Sequence, residues 1–188
     1  AEDGIRDLVR SRGLGDVYKR QLNKLAEKAP SFKCIIDVDD SSFLNPTSMI
    51  EAINKYCEKT NQIIPNTKGE YIRSVLESLA IKYKMIVDII SKLSGRKIEI
   101  INIVGGGSQN KLLNQFTADS TGLKVFAGPI EATAFGNIIV QGISANKIKD
   151  IKEGREFLSN SISLTEFKPV NKKRWEKEFR KKANILIG

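Results

Sequence analysis

Apolar and polar positions alternate in two distinct rhythms along this chain. From Ile72 the apolar residues Val75, Leu76, Leu79, Tyr83, Ile86, Val87 and Ile90 recur at steps of three and four, which predicts one long helix with a single buried stripe. Thr67-Lys68-Gly69-Glu70 reads as a capping box opening that helix, and Gly95 as its left-handed stop. An earlier capping box, Ser48-Met49-Ile50-Glu51, predicts a helix running to about Thr60, with Pro65 ending the connection. Leu22–Ala29 reads as the end of a further helix. Between these helices, Cys34-Ile35-Ile36 is a short apolar piece followed by the acidic turn Asp37-Val38-Asp39-Asp40.

The second rhythm is a continuous run. Ile98–Val104 is almost wholly apolar and β-branched, as expected of a strand buried inside a sheet. Gly105-Gly106-Gly107-Ser108 follows at once. A helix over Gln109–Thr121 closed by Gly122 comes next, then a strand over Lys124–Ala127 leading to Gly128-Pro129. A helix of small residues from about Glu131 to Asn146 carries Ala132, Gly136 and Gly142, which allow close backbone approach to a neighbour. A last helix falls around Asn171–Ala183. Helices and strands in alternation with short loops predict an α/β fold with some parallel sheet.

Composition narrows the function. Apolar residues make up 40% of 188, and no apolar run reaches the roughly 18 residues a membrane helix needs. Two cysteines far apart, Cys34 and Cys57, with no histidine, argue against zinc and predict free thiols in a cytoplasmic protein. The net charge of +9 is mostly terminal: residues 168–188 carry +6, residues 1–21 carry +1, and the rest +2. A basic end of this kind predicts a solvated, dispensable helix over residues 170–188 rather than a nucleic-acid-binding face. Residues 1–21 mix three glycines with alternating charges and lack periodicity. They are similar to a translated sequencing adapter, so they are expected to be a foreign or disordered leader, with the domain spanning 22–169.

The strand–GGGS–helix segment carries the candidate chemistry. Three glycines allow a turn with positive φ and leave room for a ligand against the backbone. Amides at the start of the following helix favour a phosphate or a polar group. Ser108 is the natural N-cap, and Gln109 and Asn110 add amide donors and acceptors. Neither a GxGxxG nor a GKS/GKT string is present, so dinucleotide and P-loop readings do not apply. A tight turn with no ligand remains open on these residues alone. Asp39 and Asp40 read as turn caps rather than a metal pair. Glu131 reads as a helix-start carboxylate.

The longer string Ile103-Val104-Gly105-Gly106-Gly107-Ser108-Gln109-Asn110-Lys111-Leu112-Leu113-Asn114-Gln115, continuing to Thr117-Ala118-Asp119 and then Glu131-Ala132-Thr133-Ala134-Phe135-Gly136-Asn137, resembles the FGGY carbohydrate kinase family. Upstream, Asp37-Val38-Asp39-Asp40, Phe43, Pro46 and Met49, then Ala52-Ile53-Asn54-Lys55-Tyr56-Cys57, Thr60, Gln62 and Pro65 look like its rhamnulokinase branch. Val38, Asn102 and Thr117 depart from that pattern, and the tail beyond Pro169 matches nothing in it. The resemblance implies the C-terminal lobe of an actin/hexokinase-like (ribonuclease H-like) fold, incomplete at its N-terminal side. It implies ATP and Mg²⁺ as cofactors, ATP/ADP as ligands, and a sugar held through a lobe not present here. Nucleic acid and membrane are not expected partners.

Gly105, Gly106, Gly107, Ser108 and Asn110 are then the expected nucleotide-binding residues, with Gly106 against the ribose or first phosphate. No residue of this chain is assigned to catalysis or to metal. The implied activity of the whole protein is phosphorylation of L-rhamnulose to L-rhamnulose 1-phosphate, with the fragment alone inactive. Another kinase of the family, acting on a different ketose, a sugar alcohol or glycerol, and a non-catalytic module with a basic tail are the alternatives.

Overall fold

The computed structural model of this chain describes residues 14–186, with side chains from 21 to 182. Helix α1 spans Leu14–Lys28, α2 Met49–Lys59 and α3 Lys68–Ser94. Strand β1 (Ile100–Ile103) leads through a 3₁₀ turn, Gly105–Gln109, into α4 (Lys111–Thr121). Strand β2 (Lys124–Ala127), helices α5 (Ala132–Ser144) and α6 (Ile151–Ser161), strand β3 (Thr165–Phe167) and helix α7 (Lys172–Leu186) complete the order. β1 and β2 pair in parallel, Ile100 with Lys124 through Ile103 with Ala127. β3 joins β2 antiparallel, Val125 opposite Phe167. The expected α/β class with a parallel pair therefore holds.

Local signals explain most element ends. Ser48 accepts the Glu51 N–H and Thr67 accepts the Glu70 N–H, both at 3.3 Å. Glu70 then reaches past its cap to the Asn66 N–H and to Lys33 Nζ, each at 2.7 Å. Those two donors hold its carboxyl below the ordinary glutamate range. Gly95 and Gly122 close α3 and α4 with φ of 64° and 70°, where an L side chain would be strained.

The core forms where α1, α4 and α7 meet α3. Ala26, Phe32, Ile35, Leu76, Ile81, Phe116 and Trp175 make one cluster, with Phe179 packed on its edge. A second cluster, Cys34, Ile36, Ile53, Tyr56 and Cys57, lies between the irregular segment and α2. Both cysteines are free and buried. The α1–α3 crossing is close, since a Cβ added at Gly69 would meet the Leu25 carbonyl oxygen at 2.6 Å.

Four expectations need correction. The stripe on α3 is buried only in its first half: Leu76 is 7% exposed, but Ile86 and Ile90 are 43% and 49% exposed. Ile86 and Val87 line an open apolar pocket with Ile101, Ile103 and Leu113, and the buried face of the helix includes Ser74, Glu77, Ser78 and Ile81. Glu77 can lie there because Arg73 Nε and the Phe32 N–H each donate to it at 2.7 Å. β1 is not sheet-interior either: it is an edge strand with Ile100 half exposed, because only β2 pairs with it among the described residues. The basic tail is not simply solvated. Lys182 turns inward to donate to Gln62 Oε1 at 3.2 Å, Arg174 lies over the Phe32 ring, and Trp175 is 4% exposed, edge-on to Phe32 and tilted against Phe116. In α5 the close approach falls at Gly142, where a Cβ would meet Ile148. Gly136 has open space.

Candidate nucleotide-binding cleft

The carboxyl ends of the parallel strands β1 and β2 lie side by side, and their following loops are laced together. Gly105 donates its N–H to the Pro129 carbonyl, and Gly128 donates to the Ile103 carbonyl, each at 2.9 Å. The Gly128–Pro129 peptide bond is cis. Ligands of open α/β sheets sit beyond such strand ends. An open cleft of about 950 Å³ lies here, walled by Ser108 and Gln109 on one side, Gly128 to Glu131 on another, and Asn23 and Lys24 of α1 on a third.

The glycine turn divides its labour. Gly105 alone has positive φ, at 72°, so glycine is demanded there by the backbone. Gly106 lacks that constraint, and a Cβ on it would meet nothing within 4 Å. At Gly107 a Cβ would stand 3.7 Å from Ile103, an ordinary contact. The open side at Gly106 leaves the backbone approachable.

Ser108 does not cap the following helix, contrary to expectation. Residues 105–109 form a 3₁₀ turn in which the Ser108 hydroxyl donates to the Gly105 carbonyl at 2.6 Å, so it is spent inside the loop. The helix starts two residues late, at Lys111. Asn110 is its cap, with Oδ1 accepting the Leu113 N–H at 3.1 Å. Asn114, one turn further on, is fully buried and donates from Nδ2 to the Ser108 carbonyl at 2.9 Å. It thus props the loop from below, while its own Oδ1 has no partner among the described residues.

The expected site residues Gly105, Gly106, Gly107, Ser108 and Asn110 lie together on one loop, but of these Ser108 alone lines the cleft, and Gly107 lines a separate apolar pocket with Ile86, Ile101 and Ile103. Sequence reading missed Asn23, whose Nδ2 donates to Asn110 Oδ1 at 3.3 Å across 87 residues, and Asn114. A polar residue within the apolar helix start Leu112-Leu113 was the available signal for Asn114, whereas Asn23 offers none before the fold is known. The acidic turn stays apart from the cleft. Asp40 caps a 3₁₀ turn through the Ser42 N–H, and the Ser42 hydroxyl first and this N–H second hold its carboxyl below the ordinary range. Lys82 pairs with Asp39 at 2.7 Å and Asp37 at 3.2 Å.

The class defined by this fold and cleft is matched directly by sequence. Residues 6–145 match the C-terminal domain of the FGGY family of carbohydrate kinases, and the chain belongs to that family. It is 39% identical over 162 residues to a rhamnulokinase of Bacteroides thetaiotaomicron and 42% identical over 161 residues to one of Bacillus subtilis. Each alignment covers 86% of this chain and 33% of the relative, so the chain spans about a third of the length of the curated relatives it matches. Among solved structures, xylulose kinase from Rhodospirillum rubrum superposes with a TM-score of 0.63 at 15% identity, covering 96% of this chain and 36% of that one. Plasmodium falciparum glycerol kinase with ADP gives 0.60 at 20% identity, covering 94% and 37%. These likenesses establish the fold as the C-terminal domain of an actin/hexokinase-like kinase.

Proposed function

We propose that this chain is the nucleotide-holding part of an ATP-dependent sugar kinase, and that the whole protein phosphorylates L-rhamnulose to L-rhamnulose 1-phosphate. The observation that carries the nucleotide assignment is the glycine loop, open at Gly106, whose Ser108 and Gln109 wall a cleft at the carboxyl ends of two parallel strands. The volume of that cleft falls within the range usual for small-molecule sites, about 300–1,000 Å³. Gly105 sets the turn, Gly106 and Gly107 admit the ribose or first phosphate, and Ser108 and Asn110 fix the loop's shape. The choice of L-rhamnulose rests on the names of relatives about 40% identical.

Mg²⁺ neutralises charge on the transferring phosphates when bound. Among the described residues no three His, Cys, Asp or Glu side chains cluster as a metal cage. Phosphoryl transfer needs both substrates positioned in one closed cleft, and the sugar half is not in this sequence. The chain alone should therefore bind ATP and ADP, measured by calorimetry, without sugar-dependent ADP release. Absence of nucleotide binding at millimolar ATP would overturn the site assignment. Comparing L-rhamnulose with other ketoses, sugar alcohols and glycerol in the whole protein tests the substrate.

A further inference from the structure

Asn114 is fully buried and lines the apolar pocket of about 240 Å³ between α3, β1 and α4, beside Tyr83, Val87, Ile103 and Gly107. Its Oδ1 is buried and accepts from no described residue. A buried acceptor left unmet lowers stability, and an apolar side chain of similar shape would not carry that penalty. Thr117, one turn further and equally buried, shows the contrast: its hydroxyl donates to the Leu113 carbonyl of its own helix at 2.8 Å. The Asn114 side chain makes one bond among the described residues, from Nδ2 to the Ser108 carbonyl at 2.9 Å, and that bond leaves the helix for the glycine turn.

Ser108 is where the turn meets the cleft. It lines the cleft, its hydroxyl is tied back to Gly105, and its carbonyl is held from behind by Asn114. Resting on the nucleotide reading above, we propose that Asn114 is a positioning residue, which holds the glycine turn in its ligand-binding shape through the Ser108 carbonyl and lowers the stability of the domain in doing so. Asn114 itself stands behind the turn, outside the lining of the cleft.

Asn114→Leu is the test. Leucine branches at the same carbon, the pocket has room for its added bulk, and half-buried Ser108 can give its carbonyl to water. The variant should melt no lower than the parent, yet bind ATP and ADP roughly three- to tenfold more weakly, the size of one neutral hydrogen bond. Amide hydrogen exchange should quicken at residues 106–110 and stay as in the parent within α4 and β2. Asn114→Met, whose unbranched chain adapts to irregular space, repeats the test should leucine overfill the pocket.

Parental nucleotide affinity in both variants would overturn the proposal. A fall in melting temperature with exchange quickened throughout the domain would overturn it too, since Asn114 would then serve the fold rather than the turn. A parent chain that binds neither ATP nor ADP would mark the failure of the nucleotide reading itself, and exchange at residues 106–110 would still decide whether Asn114 holds the turn.

Discussion

Asp119 accepts the backbone N–H of Val170 at 2.6 Å, and the same oxygen takes the Asn171 N–H at 3.1 Å. Gln115 Nε2 supports that oxygen at 3.1 Å and also donates to the Lys168 carbonyl. A buried carboxylate near the end of α4 thereby tethers the chain just before α7, and Trp175 drops into the core one turn later.

Removal of residues 170–188 should therefore destabilise the domain rather than leave it intact. Trp175→Ala should cost about 3–5 kcal/mol through lost burial and the cavity left behind. Asp119→Ala should cost about 1–3 kcal/mol, leaving two backbone donors without their acceptor. Urea unfolding of the three variants checks this. A midpoint unchanged by truncation would show that the tail packs without stabilising.

Gly105 and Gly106 should separate fold from function. Gly105→Ala forces a side chain onto φ of 72°, at a cost of roughly 1–2 kcal/mol. Gly106→Val meets no neighbour and should leave the melting temperature in place while weakening ATP and ADP binding. Calorimetry and thermal melts on the two variants decide between this division and a purely structural turn.

Much of this was legible in the sequence. The Ser48 and Thr67 caps (though not the returning glutamate bond of either box), both left-handed glycines, the GGGS turn and the family resemblance were readable because each depends on residues near one another in the chain. What escaped depends on tertiary contact. The half-exposed stripe on α3 cannot be told from a buried one by periodicity, because periodicity does not say what lies opposite. Trp175 and Phe179 sit in a segment whose charge count suggests solvent, yet two aromatics four residues apart suffice to seat one face. Ser108 and Asn110 are both good caps, and only the 3₁₀ turn consuming the serine hydroxyl decides between them.

Acid stability should turn on two glutamates with opposite sign. Glu70 titrates below the ordinary value of about 4.3, held down first by the Asn66 N–H and then by Lys33. Its stabilisation is complete above that value and is lost as pH falls through the folded one. Glu70→Gln should flatten that part of the acid limb. Glu77 is raised by burial, which outweighs Arg73, so its contribution declines as pH rises from the ordinary value through its higher folded one. Glu77→Gln should remove this decline. Unfolding free energies between pH 3 and 7 test both slopes.

The leader remains a proposal with a direct test. Helix α1 begins at Leu14 and the family match at residue 6, so both reach into the segment set aside as foreign, whose first thirteen residues lie outside the described structure. Among the α1 residues whose side chains are described, the buried ones are Leu22 and Ala26, with Leu25 against Gly69, and a chain starting at Leu22 keeps all three. A chain starting at Leu22 should therefore melt within a few degrees of the parent. A large drop would show that residues 1–21 are part of the domain.

Ser31 and Arg174 are hydrogen-bonded across 143 residues, and Phe32 and Trp175 meet edge to face beside them. Closing a loop of that span is slow, and it must precede the reward of the contact. During synthesis Phe32 would wait for its Trp175 partner until α7 had left the ribosome. The vulnerable interval of this domain is therefore its own translation, when a chaperone or a protease meets Phe32 before Trp175 does.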